Sequence, residues 1–314
     1  MAVYTSVPAE ALEPFLARYD TGPLILAKGI AEGVSNSNFL VETTTHRFIL
    51  TLYEHRIDLA ELPYFIALME HLANSSLPVP RPIRDRAGAA LQTVEGKAAC
   101  LIQFLPGVSV SHPTAQQAHA AGEALARLHL AGSTFTATRP NALGLAWWQA
   151  TAADLAPRLD EISDGLAARV SQCLAALCTN WPASLPKGTI HADLFPDNVL
   201  MLGDRVSGLI DFYFACTDLL AYDLAVLHAA WAFNADGSAP LPAHEAALFA
   251  GYESVRPLSA AERAALPLLG QGVSLRFLLS RAQDWLKPHS GALVQRKDPM
   301  PFARRLDYYV GLNG

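Results

Sequence analysis

A chain of 314 residues, 51% hydrophobic and 17% charged, is long enough to bury two apolar cores and too apolar to remain disordered. Its formal charge of −6, with only 23 Lys and Arg, argues against a dedicated nucleic-acid surface, which needs clustered cations. The N-terminus "MAVYTSVPAEALEPF" lacks a basic segment followed by an apolar one, and no apolar run reaches the roughly 18 residues of a membrane span. Cys100, Cys173, Cys178 and Cys216 form no C-x-x-C pair, so neither zinc nor a redox centre is expected. A reduced, cytoplasmic setting is expected, with no nucleic-acid or membrane partner.

In chain order, "GIAEGVSNSN" (29–38) has the glycines, serines and asparagines of a loop. "NFLVETTT" (38–45) and "HRFILTLYE" (46–54) are β-branched and aromatic runs joined tightly enough for a hairpin. In "DLAELPYFIALMEHLAN" (58–74), Leu62, Phe65, Ile66, Met69 and Leu72 recur at helical spacing. Pro78, Pro80 and Pro82 then forbid a helix. "RPIRDRAG" (81–88), the densest basic cluster, reads as a turn, and "AACLIQFLPG" (98–107) is a short strand ended by Pro106 and Gly107. This is the best domain boundary, giving expected domains of 1–106 and 107–314. Beyond it the chain turns helical, starting with "PTAQQAHAAGEALARLHLAG" (113–132).

The exception in that helical half is "TIHADLFPDNVL" (189–200) with its partner "VSGLIDF" (206–212), which read as short strands around a polar run. The pattern H-x-D-x-x-x-x-N, followed by an apolar strand that closes on Asp, matches a phosphoryl-transfer centre of the protein-kinase type. Asp193 would orient the attacking hydroxyl and accept its proton; Asn198 and Asp211 would offer a neutral and an anionic oxygen to Mg²⁺ beside ATP. His191 would be a scaffold residue holding the loop against the Asp211 turn. Asp223, at the start of an apolar helix, would cap it or tie down the same loop. His129, on an apolar helix face, reads as a hydrogen-bonded core histidine.

These motifs resemble the aminoglycoside-phosphotransferase and choline-kinase superfamily, small-molecule kinases on a protein-kinase-like fold. Ala192 stands where many protein kinases carry Arg, and the Asp211–Asp223 interval leaves no room for an activation loop. The resemblance is to the homoserine kinases within that superfamily, carried by "FLARYDTG", "GVSNSNFLVET", "GLAWW", "IDFYFACTD", "LRFLLSRAQDW" and "KDPMPF". It implies an α+β, two-lobed fold with a β-rich N-lobe and a larger helical C-lobe, and ATP-dependent phosphorylation of homoserine, a small-molecule amino alcohol. Thr51 occupies the place of the usual strand lysine, and Phe65 that of its glutamate partner, with Glu61 one turn earlier. Ser35, Asn36, Ser37 and Asn38, or Arg47 or Lys28, would then meet the phosphates. Adenine would lie against Ile49 and the backbone of Gln103 to Leu105.

Homoserine's carboxylate wants an arginine fork, for which Arg276 and Arg281 are candidates; Arg281 alternatively pairs with Asp284. Choline would instead want an aromatic cage, with Trp147, Trp148, Tyr213, Trp231 and Trp285 available. A nucleotide-binding pseudokinase without turnover is the reading from another class. The intact Asp193, Asn198 and Asp211 weigh against it.

Overall fold

Two units divide at the bond between Pro106 and Gly107 in the computed structural model, which describes residue 5 and residues 7–30, 36–54, 58–287 and 296–312. In the first, α1 (Ala9–Leu16) precedes β1 (Leu24–Ile30), β2 (Asn36–Thr43) and β3 (Arg47–Tyr53); α2 (Leu62–Asn74), β4 (Leu91–Val94) and β5 (Lys97–Gln103) follow. The strands pair antiparallel in the order β1-β2-β3-β5-β4. Strand side chains alternate between faces, so Phe48, Leu50 and Leu52 join Phe39, Val41 and Leu101 in a core with Leu12, Phe15 and Leu16 of α1. On the opposite phase, Leu40, Ile49 and Ile102 are cross-strand neighbours that stay only half-buried.

The hairpin and the helix expected from the pattern are present, with shifted ends. Helix α2 begins at Leu62 because Pro63 is tolerated only in a first turn; before it runs a 3₁₀ turn, where Asp58 accepts the Ala60 amide at 3.0 Å. Residues 29–38 are not a loop throughout. Gly29 and Ile30 belong to β1 and Asn36 to Asn38 to β2, because the ladder continues through the pairs Ile30 with Asn38 and Asn36 with Tyr53.

The second unit contains α3 (Ala115–Gly132), α4 (Leu145–Leu155), α5 (Leu166–Asn180), β6 (Lys187–Ile190), β7 (Val199–Leu202), β8 (Arg205–Leu209), β9 (Cys216–Leu219), α6 (Leu220–Trp231), α7 (Pro242–Glu253), α8 (Ala260–Leu286) and α9 (Met300–Gly311). Strands β6 and β9 form one two-stranded ladder and β7 and β8 another. Helix α8 starts at a Ser259–Glu262 capping box and is buried all round from Leu269 to Leu279, as suits a helix at the centre of a core. Helices α3 and α7 approach closely: a Cβ on Gly122 would fall on the Leu248 carbonyl, and one on Gly251 on the His119 carbonyl. That approach brings His129 and Tyr252 together. No helix among the described residues is long and apolar enough to cross a membrane.

Candidate active site

Strand β6 ends at Ile190, and the chain turns sharply through His191 and Ala192 because Ala192 takes the left-handed conformation, φ 64°. Asp223 secures this turn. Its Oδ2 accepts the His191 amide and its Oδ1 the Ala192 amide, both at 2.7 Å, and Oδ2 also accepts His129 Nε2 at 3.1 Å. Complete burial works to raise the Asp223 carboxyl, but hydrogen bonding from His129 and the charges and amide around it hold it below the ordinary aspartate value. Of the two roles expected for Asp223, tying down the loop is the one seen. Helix α6 already begins at Leu220, which leaves Asp223 inside the first turn and not at the cap.

His191 links the loop to the second half of the motif. Nε2 faces the Ile210 carbonyl at 2.9 Å and must donate, so Nδ1 accepts the Asp193 amide at 3.3 Å, and the ring is neutral with its proton on Nε2. Burial agrees, pushing the His191 pKa down. Asn198 folds back over the loop. Its Nδ2 donates to the Asp193 carbonyl at 2.7 Å and to Asp193 Oδ2 at 3.1 Å, which leaves Oδ1 of the amide for another partner. The Ile210 amide donates to the Asn198 carbonyl at 3.1 Å, bringing Asp211 beside Asn198. Asp211 is itself left-handed, φ 64°, a conformation that Asp tolerates better than most residues.

The carboxyl of the half-buried Asp193 is raised to about 7, first by desolvation and then by Asp211 and Asp197, against the charge of Arg276; that of Asp211, a residue that stays exposed, is raised to about 6, first by desolvation and then by Asp197. Two carboxylates pressed towards neutrality beside a free amide oxygen are a donor set that a hard cation would relieve. Among the described residues no cluster of three or more His, Cys, Asp or Glu is arranged to hold a metal unaided. Asn198 and Asp211 therefore fit an ion that takes its remaining oxygens from phosphate and water.

Ser35 lies outside the described residues. The Ser37 hydroxyl, expected to face phosphate, donates instead to Glu54 at 2.7 Å, and Thr51 donates to Asn38 Oδ1 at 2.8 Å. Asn36 Oδ1 is buried with no partner among the described residues. The Gln103 amide is spent on the Arg81 carbonyl at 2.8 Å, and Leu105 and Ile49 are half-buried. The unit does carry a Lys–Glu pair, Lys97 with Glu54 at 3.2 Å, on residues that the sequence reading passed over.

Arg276 is buried and its Nη1 donates to the Ala192 carbonyl. Arg281 Nη1 donates to the Asp298 carbonyl at 3.0 Å, and the guanidinium lies 4.5 Å from the Phe302 ring centre. Burial lowers its pKa to about 10, against the charges of Asp298, Asp197 and Asp193. Trp148 and Trp231 are core residues, and Trp231 Nε1 donates to the Leu194 carbonyl at 2.9 Å, so neither is free for an aromatic cage.

Sequence reasoning missed Asp197 and Lys297, whose charges both act on Asp193 and Asp211 and which stand 3.5 Å apart. Asp197 was visible inside the motif, and Lys297 inside "KDPMPF". His129 is the hydrogen-bonded core histidine expected, its Nδ1 facing the Tyr252 hydroxyl at 2.8 Å; the run beyond it was missed, Arg256 donating to the Tyr252 hydroxyl at 3.0 Å and to Glu262 at 2.7 Å. No local signal marks contacts so distant in sequence. Asp223→Ala strips three buried donors of their acceptor and is expected to cost about 3 kcal/mol or more in urea unfolding, with Asp223→Asn losing less. An unchanged unfolding midpoint in the alanine variant would remove Asp223 from the support of the loop.

The sheet-and-helix fold and the Asp193 loop define a small-molecule phosphotransferase. The chain belongs to the Phosphotransferase enzyme family (APH), whose profile matches residues 27–258. It is 53% identical over 309 residues to the homoserine kinase of Azorhizobium caulinodans, covering 98% of this chain and 96% of that protein. To the homoserine kinase of Xanthobacter autotrophicus it is 52% identical over 313 residues, covering 100% and 97%. Among solved structures, a spectinomycin phosphotransferase in complex with ADP and spectinomycin matches with a TM-score of 0.72 at 12% identity, over 98% of this chain and 99% of that one. An amicoumacin kinase in complex with AMP-PNP and Ca²⁺ matches with a TM-score of 0.71 at 14% identity, over 96% and 93%. These two likenesses speak for the fold alone.

Proposed function

We propose that the protein transfers the γ-phosphoryl group of ATP to the side-chain hydroxyl of L-homoserine, yielding O-phosphohomoserine in cytoplasmic threonine biosynthesis. Residues 1–106 form the nucleotide-binding lobe in this reading and residues 107–314 the catalytic lobe. The observation that carries the substrate is the identity of about half of all positions, over the whole length, with homoserine kinases.

Phosphoryl transfer asks mainly for alignment and for compensation of charge. Asp193 gives Oδ2 to Asn198 and keeps Oδ1 for the substrate hydroxyl, which it orients and whose proton it accepts. A carboxyl raised to about 7 is well matched to that exchange near neutral pH. Asn198 Oδ1 and the Asp211 carboxylate would hold Mg²⁺, which supplies charge compensation at the phosphates when bound. The half-buried face of Leu40, Ile49 and Ile102 offers an apolar surface for adenine beside the backbone of Gln103 to Leu105. Ser35 to Asn38 remain the phosphate-facing stretch, through Asn36 and backbone N–H groups, since the Ser37 hydroxyl is spent.

Arg281 is the better carboxylate clamp of the two arginines, because Arg276 is committed to Ala192. A pKa near 10 keeps Arg281 charged at neutral pH, and the neighbouring Asp197 suits an ammonium group. ATP consumption is expected to favour L-homoserine over 3-aminopropanol and choline by at least about a hundredfold in kcat/KM, since an analogue without the carboxylate leaves a partly buried guanidinium unpaired. Arg281→Ala should raise KM for homoserine about tenfold or more and leave KM for ATP nearly unchanged. Choline outcompeting homoserine would overturn the substrate, and an unchanged homoserine KM in the variant would overturn the clamp.

A further inference from the structure

We infer that Arg276, from the middle of α8, is a positioning residue that locks the Ala192–Asp193 peptide and so aims the Asp193 carboxylate, without contacting substrate. The inference rests on the reading of Asp193 as the residue that meets the substrate hydroxyl.

Ala192 is the pivot. Its Cβ makes the left-handed conformation unfavourable, yet φ is 64° and the methyl is 1% exposed in the core. A conformation of that kind persists only where the surroundings over-determine it, and here three polar groups around the pivot are held. The Ala192 amide goes to Asp223 Oδ1 at 2.7 Å. The peptide that follows is held at both ends, its carbonyl by Arg276 Nη1 and its N–H by His191 Nδ1 at 3.3 Å. A departure of Ala192 from the left-handed conformation would turn this carbonyl away from Arg276 and swing the Asp193 side chain with it. Only Arg276 among these partners comes from outside the motif and its anchoring helix.

Arg276 is placed for this: Nη1 is spent on the carbonyl, while Nε is buried without a partner among the described residues. It is 2% exposed, and its guanidinium lies 4.4 Å from the Phe277 ring centre and 5.4 Å from that of Phe214. Tyr222 adjoins it closely enough to feel its charge. A buried guanidinium fixed between rings, with a neutral carbonyl as its hydrogen-bond acceptor, serves the backbone it binds.

A double-mutant cycle between Arg276→Met and Ala192→Gly tests this, because glycine adopts the left-handed conformation without the Cβ penalty and needs less holding. In the parental background Arg276→Met should lower kcat at least about thirtyfold, with KM for homoserine and for ATP within about threefold. In the Ala192→Gly background the same replacement should lose at least about fivefold less. Arg276→Lys, which keeps a cation and one reach to the carbonyl, should recover part of kcat. The crystal structure of Arg276→Met should show the Ala192 carbonyl turned away, a readout that does not depend on which alcohol is phosphorylated. Equal losses in both backgrounds, a tenfold rise in homoserine KM at unchanged kcat, or an unmoved Ala192 peptide each overturn the proposal. If Arg276→Met does not fold, Arg276→Lys carries the cycle on kcat alone: a partial loss that shrinks in the Ala192→Gly background supports the proposal, and an equal loss in both backgrounds overturns it. Asp193→Asn run in parallel isolates the underlying reading: full turnover there removes Asp193 from the chemistry, whatever Arg276 does to the peptide.

Discussion

Asp193→Asn is expected to lower kcat for L-homoserine by at least about a hundredfold, the scale of a positioned general base, while Mg-ATP affinity and the unfolding midpoint hold. Two of the groups that hold it, the His191 ring and the Asn198 amide, bind the Asp193 backbone, so the variant keeps the loop. An asparagine still orients a hydroxyl, but it cannot take the proton. Removing a carboxyl that burial has raised to about 7 relieves a costly charge, so the variant should unfold no earlier than the parent. Near-parental turnover in a quenched ATP assay would exclude Asp193 as the base.

Asp211→Ala should abolish Mg-dependent nucleotide binding in calorimetry and exceed the loss in Asn198→Ala, since an anionic oxygen serves a hard cation better than an amide oxygen. The pH dependence follows from the direction of the Asp211 shift. With burial and Asp197 raising this carboxyl to about 6, protons compete with the cation, and Mg-ATP affinity should fall as pH drops below about 6. In the metal-free protein the sign for stability is the reverse. A folded-state pKa above the ordinary aspartate value contributes stability at low pH that is lost as pH rises through about 6, a contribution kept small by the exposure of Asp211 to solvent, and Mg-nucleotide binding offsets its loss. Equal affinity losses in Asp211→Ala and Asn198→Ala, or affinity independent of pH, would contradict the assignment.

His191, Asp193 and Asn198 were legible because one short loop carries all of them, at offsets that the chemistry itself requires. Asp211 followed, since the strand before it is brief and apolar. The strands of the first unit were legible in their interiors, where period two is strict, and misjudged at the 29–38 loop. Serine and asparagine composition favours a turn there, but the ladder that β1 and β3 impose runs on to Asn36 and Asn38. Aromatic residues were equally visible and equally ambiguous. Nothing in Trp148 or Trp231 says whether a ring is a cage or a core, and only their neighbours put them inside.

What the sequence determined by itself is the class of reaction: a loop with an aspartate, an asparagine and a second aspartate at kinase spacing, in a chain whose first third is rich in strand and whose remainder is mostly helix. What only the tertiary structure decided is how that loop is held. The Asp223 carboxylate reaches two amides 31 and 32 residues away, His129 reaches Asp223 across 94 residues, and Arg276 reaches the Ala192 carbonyl across 84. The physical reason is that backbone conformation and chemistry at adjacent residues are encoded locally, whereas a buried arginine has no local signature that separates a ligand clamp from a backbone lock. Its role depends on which unpaired group the packing of α6 and α8 brings within reach, and here that group is the carbonyl of a strained alanine one residue before Asp193.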